Sequence, residues 1–120
     1  MPVAVITIAG VRVRAKVVSE KKLASLWKRL TKKPFPRVAA FQLWDSDFDS
    51  VIGLMKCRDD ARREVQEWGW VLSARGTDAC VFNAEEVADF DYVILIRENP
   101  YHDFEEVLEH ELSHIARGDL

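Results

Sequence analysis

The stretch FDYVILIRENPYHDFEEVLEHELSHIARG, residues 90–118, passes from strand to helix in one continuous segment. Phe90 to Ile96 is the most strand-like run in the chain and predicts a buried strand. Asn99-Pro100 interrupts it. Asp103, followed three residues later by Glu106, has capping-box spacing, and a helix is expected from there to Arg117 with Gly118 as its C-terminal cap. At about 100° per residue, Phe104, Val107, Leu108, Leu112 and Ile115 fall on one apolar arc. His110 and His114 sit at the edge of that arc, with Glu111 between them and its centre. Such a helix lies in a core and presents its histidines at the rim of a cleft.

Upstream, Val3 to Ile8 and Val11 to Val18 are β-branched runs broken at Ala9-Gly10, a hairpin pattern. The second run alternates Val11, Val13, Ala15 and Val17 inward with Arg12, Arg14 and Lys16 outward. Ser19 caps a helix whose Leu23, Leu26, Trp27 and Leu30 recur at helical spacing, and Pro34 and Pro36 bar its continuation. Arg37 to Trp44 reads as a strand. Asp45, Asp47 and Asp49 then begin like a calcium loop, but Ser50 stands where the sharp-turn glycine belongs and Lys56 where the bidentate glutamate belongs, so a solvated turn before the short apolar run Val51 to Met55 is expected. Asp59 or Asp60 would cap a helix carrying Ala61, Val65 and Trp68 and ending at Gly69. Trp70 to Ser73 and Ala79 to Phe82 suggest a second hairpin, and Asn83 with Glu86 a short capped helix. Trp27, Trp44, Trp68 and Trp70 are expected in the core.

The chain of 120 residues is 48% hydrophobic and 31% charged, which describes one ordinary globular domain and excludes disorder. Cys57 and Cys80 could form at most one disulfide and stand in no metal-ligand spacing, so both read as small core residues in a reducing compartment. The apolar runs are too short to cross a bilayer, and MPVAVITIAG lacks a positive charge ahead of its apolar stretch, which points to a cytoplasmic protein without a membrane partner. Residues 1–37 hold ten Lys/Arg against Glu20 alone, while residues 38–120 hold seven against nineteen acids, a split of +9 and −12. That split fits a basic hairpin and helix (1–37) docked on an acidic body (38–120) of a single domain. It could also be an arm for nucleic acid; with no interleaved exposed aromatics and an acidic whole, no such binding is expected.

The chemistry centres on HELSH, His110 to His114. Two histidines four apart on a helix project from nearly one face, so their imidazoles can converge on one metal ion, most often zinc. Glu111, about 100° round from His110, can reach a metal-bound water without being a ligand, which suits a general base.

The segment VLEHELSHIARGDL, residues 107–120, resembles the active-site helix of the zincin metallopeptidases. Its continuation His-x-x-x-Gly-Asp is most similar to the gluzincin branch that contains the membrane heat-shock metallopeptidases and the prenyl-protein endopeptidases. The resemblance implies a small α+β zincin-like domain, with a mixed or antiparallel sheet packed against helices and a C-terminal metal-binding helix. It implies Zn2+ held by His110 and His114, Glu111 as the catalytic base, and Asp119 orienting a ligand. It also implies that the strand before the helix, here Phe90 to Ile96, is the edge on which extended substrate pairs.

Gluzincins draw a third ligand, a glutamate, from a later helix that this sequence does not contain. The third position then falls to Asp119 turning back through Gly118, to an upstream side chain such as His102 or Glu106, or to a partner subunit, or else the site is incomplete; Asp119 ranks first. The function expected is a zinc metallopeptidase, a hydrolase of peptide or protein substrates in which zinc lowers the pKa of bound water to about 7 and Glu111 takes its proton. The alternative is a zincin-like module without turnover, binding or regulatory, associated with nucleic acid through its basic N-terminal region.

Overall fold

The computed structural model describes residues 2–8, 11–56, 63–65, 69–73, 90–100 and 103–118. Among the described residues, six strands form one sheet: β1 (Val3–Ile8), β2 (Val11–Val17), β3 (Val38–Leu43), β4 (Arg63–Val65), β5 (Gly69–Ser73) and β6 (Tyr92–Arg97). Three helices are described, α1 (Glu20–Leu30), α2 (Asp45–Lys56) and α3 (Phe104–Arg117). The strand order is β1-β2-β3-β6-β5-β4. All neighbours are antiparallel except β3 and β6, which run parallel in the register Val38↔Tyr92 to Leu43↔Arg97. The sheet is therefore mixed, within an α+β architecture.

β3 and β6 occupy the middle because their sequences leave no face for water. All six residues of β3 are buried, as are Val93 to Ile96 of β6. Continuous apolar runs of this kind need cover on both faces, and the helices supply it. On one face α2 lays Phe48, Val51 and Ile52 against Ile6, Ile8, Val13, Phe41, Leu43, Val93 and Leu95. On the other, α1 and α3 bring Leu23, Leu26, Trp27, Val107, Leu108, Leu112 and Ile115 to Val38, Ala40, Ile94 and Ile96. Each fully buried Leu or Ile contributes about 1.5–3 kcal/mol relative to exposure.

The N-terminal hairpin forms as its alternation requires. β1 pairs β2 from Val3↔Lys16 to Ile8↔Val11, Val13 and Ala15 are buried, and Arg12 and Arg14 are exposed. Ser19 caps α1 by accepting the Lys22 N–H at 3.2 Å, and the helix ends at Leu30, before either proline is reached. Trp27 is buried and donates its indole N–H to the Lys33 carbonyl at 2.8 Å.

Three expectations are overturned. The segment from Asp45 is neither a calcium-type loop nor a solvated turn. It is the first turn of α2, where Asp45 and Asp47 meet the positive end of the helix dipole and Phe48, Val51 and Ile52 make a one-sided core stripe. The helix expected around Ala61, Val65 and Trp68 gives way to β4, with Arg63↔Leu72 and Val65↔Trp70 paired on β5. A three-residue strand on a sheet edge draws its stability from ladder pairing, which sequence periodicity does not report. Trp44 is 37% exposed rather than in the core, because it lies past the buried end of β3 at the start of α2.

Trp70 to Ser73 is a strand as expected, but its described partners are β4 and β6. The other half of that hairpin, the helix at Asn83 and the two cysteines lie outside the described residues. Among the described residues, no helix is long and apolar enough to cross a membrane.

The charge split is spent at least partly on docking. Lys22 pairs with Glu105 at 2.8 Å and Arg29 with Glu109 at 2.9 Å, both between α1 and α3. The Lys22 ammonium, by hydrogen bond and by charge, holds the Glu105 carboxyl below its ordinary range. Such exposed pairs bias how two helices sit together more than they add stability. Arg37 reaches across to Asp91, the residue before β6, with its guanidinium at 3.1 Å and its backbone N–H at 3.3 Å.

Candidate metal centre

α3 is a well-terminated helix, and its ends fix where the histidines fall. Asp103 is the N-cap and accepts the Glu105 N–H at 3.1 Å. Gly118 closes the other end at φ 69°, a left-handed conformation that glycine adopts without the strain of a Cβ, and its N–H reaches the carbonyls of His114 and Ile115. The basic N-terminal unit adds a second clamp, since Lys33 donates its ammonium to the Ala116 carbonyl at 2.7 Å. A cation at the C-terminal turn satisfies an orphan carbonyl and opposes the negative end of the dipole.

Between these ends Val107, Leu108, Leu112 and Ile115 are buried in the α1/α3 core. His114 is buried at 8% exposure, His110 is exposed, and Glu111 is fully buried. The pair thus straddles the boundary between core and water, with the carboxylate on the core side. Glutamates are almost never fully buried in helices without a compensating partner.

The two rings converge. His110 Nε2 and His114 Nε2 are 3.0 Å apart, and the rings meet edge to face at 77° with centroids 4.7 Å apart. Two nitrogens held about 2.05 Å from one tetrahedral zinc stand about 3.3 Å apart. The observed separation lies within a few tenths of an ångström of that distance. Imidazole nitrogen is a donor type that zinc takes.

Among the described residues, no group of three His, Cys, Asp or Glu side chains surrounds a common point. Asp119 and His102 lie outside the described residues, and Glu106 is exposed on α3 one turn before His110.

The strand before α3 is not a sheet edge. β6 is flanked by β3 and β5, because its four central residues are apolar and buried on both faces. Among the described strands, the outermost on the β5 side is β4.

One neighbour of the pair was missed in the sequence. Arg117 Nη2 lies 3.0 Å from His114 Nδ1. The signal was present, since Arg117 is three residues past His114 and such positions meet on a helix surface. A second local contact, from Ser113 Oγ to the His110 carbonyl at 2.6 Å, is the usual way a mid-helix serine satisfies its hydroxyl. No protein-family model matches the chain, and neither does any curated protein or solved structure.

Proposed function

We propose that this chain is a zinc-dependent metallopeptidase domain of zincin type, acting on peptide or protein substrates. The observation that carries the reading is the 3.0 Å approach of His110 Nε2 to His114 Nε2 on a helix that also buries Glu111 completely. His110 and His114 would hold the ion. When bound, zinc supplies an acidified water and a Lewis acid for the scissile carbonyl.

The chain's own residues do the remaining work. Glu111, next in sequence to His110 and enclosed by the α1/α3 core, accepts the water proton and returns it to the leaving amine. Leu108, Leu112 and Ile115 anchor the helix so that the carboxylate and the rings keep a fixed relation. Asp119 is the first choice for a third ligand, and otherwise orients a ligand imidazole by hydrogen bonding. If substrate adds to the sheet as an extended strand, β4, the outermost described strand on that side, takes the part first expected of Phe90 to Ile96. The two-cysteine composition favours a reducing, cytoplasmic setting. Nucleic acid is not a partner in this reading, because Lys22 and Arg29 of α1 are engaged by α3.

The second reading keeps the helix and a metal but no turnover, as a binding or regulatory module. It is favoured by the finding of two, not three, converging donors among the described residues. Zinc stoichiometry and peptide hydrolysis measured on the same preparation separate the two. One zinc per chain with hydrolysis supports the peptidase, and one zinc without hydrolysis supports the module. Undiminished zinc affinity in both His110→Ala and His114→Ala would remove the site altogether. Asp119→Ala should nearly abolish tight binding if Asp119 is a ligand, and weaken it about 10- to 100-fold if it only orients one.

A further inference from the structure

The N-terminal hairpin ends the sheet in a way that the core does not require. β1 is the outermost described strand on its side, and its six residues carry no charge and no proline and pair with β2 without a bulge. Proteins usually blunt an outer strand with one of those devices, because a row of unpaired N–H and C=O groups is a template for another strand. On β1 the template is intact. Among the described residues, no strand pairs with its outer side.

The strand behind it is of opposite character. The register Val3↔Lys16, Val5↔Arg14 and Thr7↔Arg12 puts three cations and three short side chains on one face of the hairpin. It is the face away from α2, since Ala4, Ile6, Ile8, Val13 and Ala15 belong to the core on the α2 side. Arg12 and Arg14 are exposed and Lys16 is half-buried; among the described residues, none of the three is engaged in an ion pair or a side-chain hydrogen bond. Lys22 and Arg29 of α1, by contrast, are held by α3. Part of the N-terminal charge is thus left over from docking within the domain.

A strand added to β1 would lie about 9.5 Å from β2, two strand spacings away. Its residues on the cationic face would stand beside Val3, Val5 and Thr7, which are too short to screen them from Lys16, Arg14 and Arg12. Arginine and glutamate side chains leaning toward one another close that gap, and a cation in the same place would be repelled. On the α2 side, the residue across from Ala4 would abut an apolar recess of about 410 Å³ that Ala4 lines with Val17, Ala39, Phe41 and Phe90.

We propose that the outer side of β1 and the cations of β2 form a docking site for an extended acidic peptide segment, which joins the sheet as a further strand. Its carboxylates fall on alternate residues, facing Arg12, Arg14 and Lys16, and its intervening residues are apolar. Nucleic acid would meet the cations but has no row of N–H and C=O groups to continue the ladder. A second copy paired antiparallel through β1 would set two such groups of like charge on one face. The site lies at the far end of the sheet from β4 and does not depend on the histidine pair.

The test uses the full chain without added metal and a fluorescent peptide, as long as β1, that alternates glutamate with valine. Affinity is read by anisotropy and the place of binding by backbone hydrogen exchange. The peptide should bind and slow exchange in Val3–Ile8. Arg12→Gln combined with Arg14→Gln should weaken binding about 3- to 30-fold, and the difference should shrink as salt rises. Two controls need only the wild-type chain: a lysine-valine peptide should not bind, nor should the glutamate-valine peptide once its backbone amides are methylated. No binding of the glutamate peptide, equal binding of either control, or unchanged affinity in the double variant overturns the proposal. Protection at β4 instead of β1 also overturns it, by giving the peptide to the proposed substrate strand. So does protection of β1 in the unliganded chain that grows with protein concentration, which assigns the strand to a second copy. Salt-sensitive capture of a short DNA single strand, lost in the double variant and without protection of β1, assigns the cations to nucleic acid and overturns it as well.

Discussion

The two faces of the central sheet are made by the same strands and yet differ in kind. Under α2 the buried cluster is apolar throughout, from Ile6 and Val13 through Phe41 and Leu95 to Phe48 and Val51. Under α1 and α3 the alternate residues of those strands meet an equally apolar set, but this face also encloses Gln42, which donates to the Glu98 carbonyl, and the helix-borne Glu111 and His114. Burying a polar group costs free energy unless it is fully partnered. A chain that builds one dry face and places its buried carboxylate and imidazole on the other has concentrated that cost where a reaction could repay it. The α2 face reads as scaffold, and the α3 face is the side on which the proposed chemistry would take place.

The largest expected effect tests that division directly. Glu111→Gln should retain zinc, since Glu111 is assigned as base and not as ligand, and should lower peptide hydrolysis by about 10²- to 10⁴-fold. Loss of zinc in this variant would make Glu111 a ligand, and unchanged hydrolysis would place the activity elsewhere. Next in size is the scaffold counterpart. Phe48→Ala, emptying the middle of the α2 face, should cost about 3–5 kcal/mol in chemical denaturation, yet leave the zinc affinity of the folded fraction as it was. A matching fall in affinity would show that the two faces are not independent.

A smaller effect is expected where the faces meet. Asp91→Ala removes the acceptor for both the Arg37 guanidinium and the Arg37 N–H, and should lower unfolding free energy by about 1–3 kcal/mol. The smallest concerns Asp45. The Asn99 N–H, joined by the Asn99 side-chain amide, holds its carboxyl below the ordinary value of 3.8. With the folded pKa below the unfolded one, the tie stabilises at and above about pH 4 and is lost as pH falls through the folded value. Urea midpoints of wild type and Asp45→Asn should therefore differ near neutrality and converge below pH 3.8. A gap that persists in acid would rule out the carboxylate as its cause.

The scaffold face was the harder one to read in the sequence. Elements whose cues are local came through: the β1–β2 hairpin by its alternation, α1 by Ser19, and α3 by Asp103, Gly118 and an apolar arc whose members are nearly all buried. α2 was lost because three aspartates in five residues look like a turn, although acids at a helix start are stabilised by the dipole and the Phe48, Val51, Ile52 stripe was there to be counted. β4 was lost because Val65 fits a helix arc as readily as a strand, and only its pairing with β5 decides. The convergence of the two histidine rings followed from their spacing. The contact of Arg117 with His114 was overlooked, although its spacing three residues on was there to be read.

The parallel pairing of β3 with β6 also dictates when the molecule can form. Val38 meets Tyr92 and Leu43 meets Arg97, so the two central strands must find each other across more than half a hundred residues of chain. Closing so long a loop demands an entropic outlay before any contact rewards it, and topologies dominated by such contacts fold slowly. A ribosome would deliver β1, β2, α1, β3 and α2 well before the strand that completes their sheet. Until β6 arrives, Val38, Ala40 and the inner side of α1 lack most of their partners, and α3 has no surface to dock on. The histidine pair is thus assembled in the same late event that closes the core, and a chain caught before it would expose sticky apolar surface for a chaperone to cover.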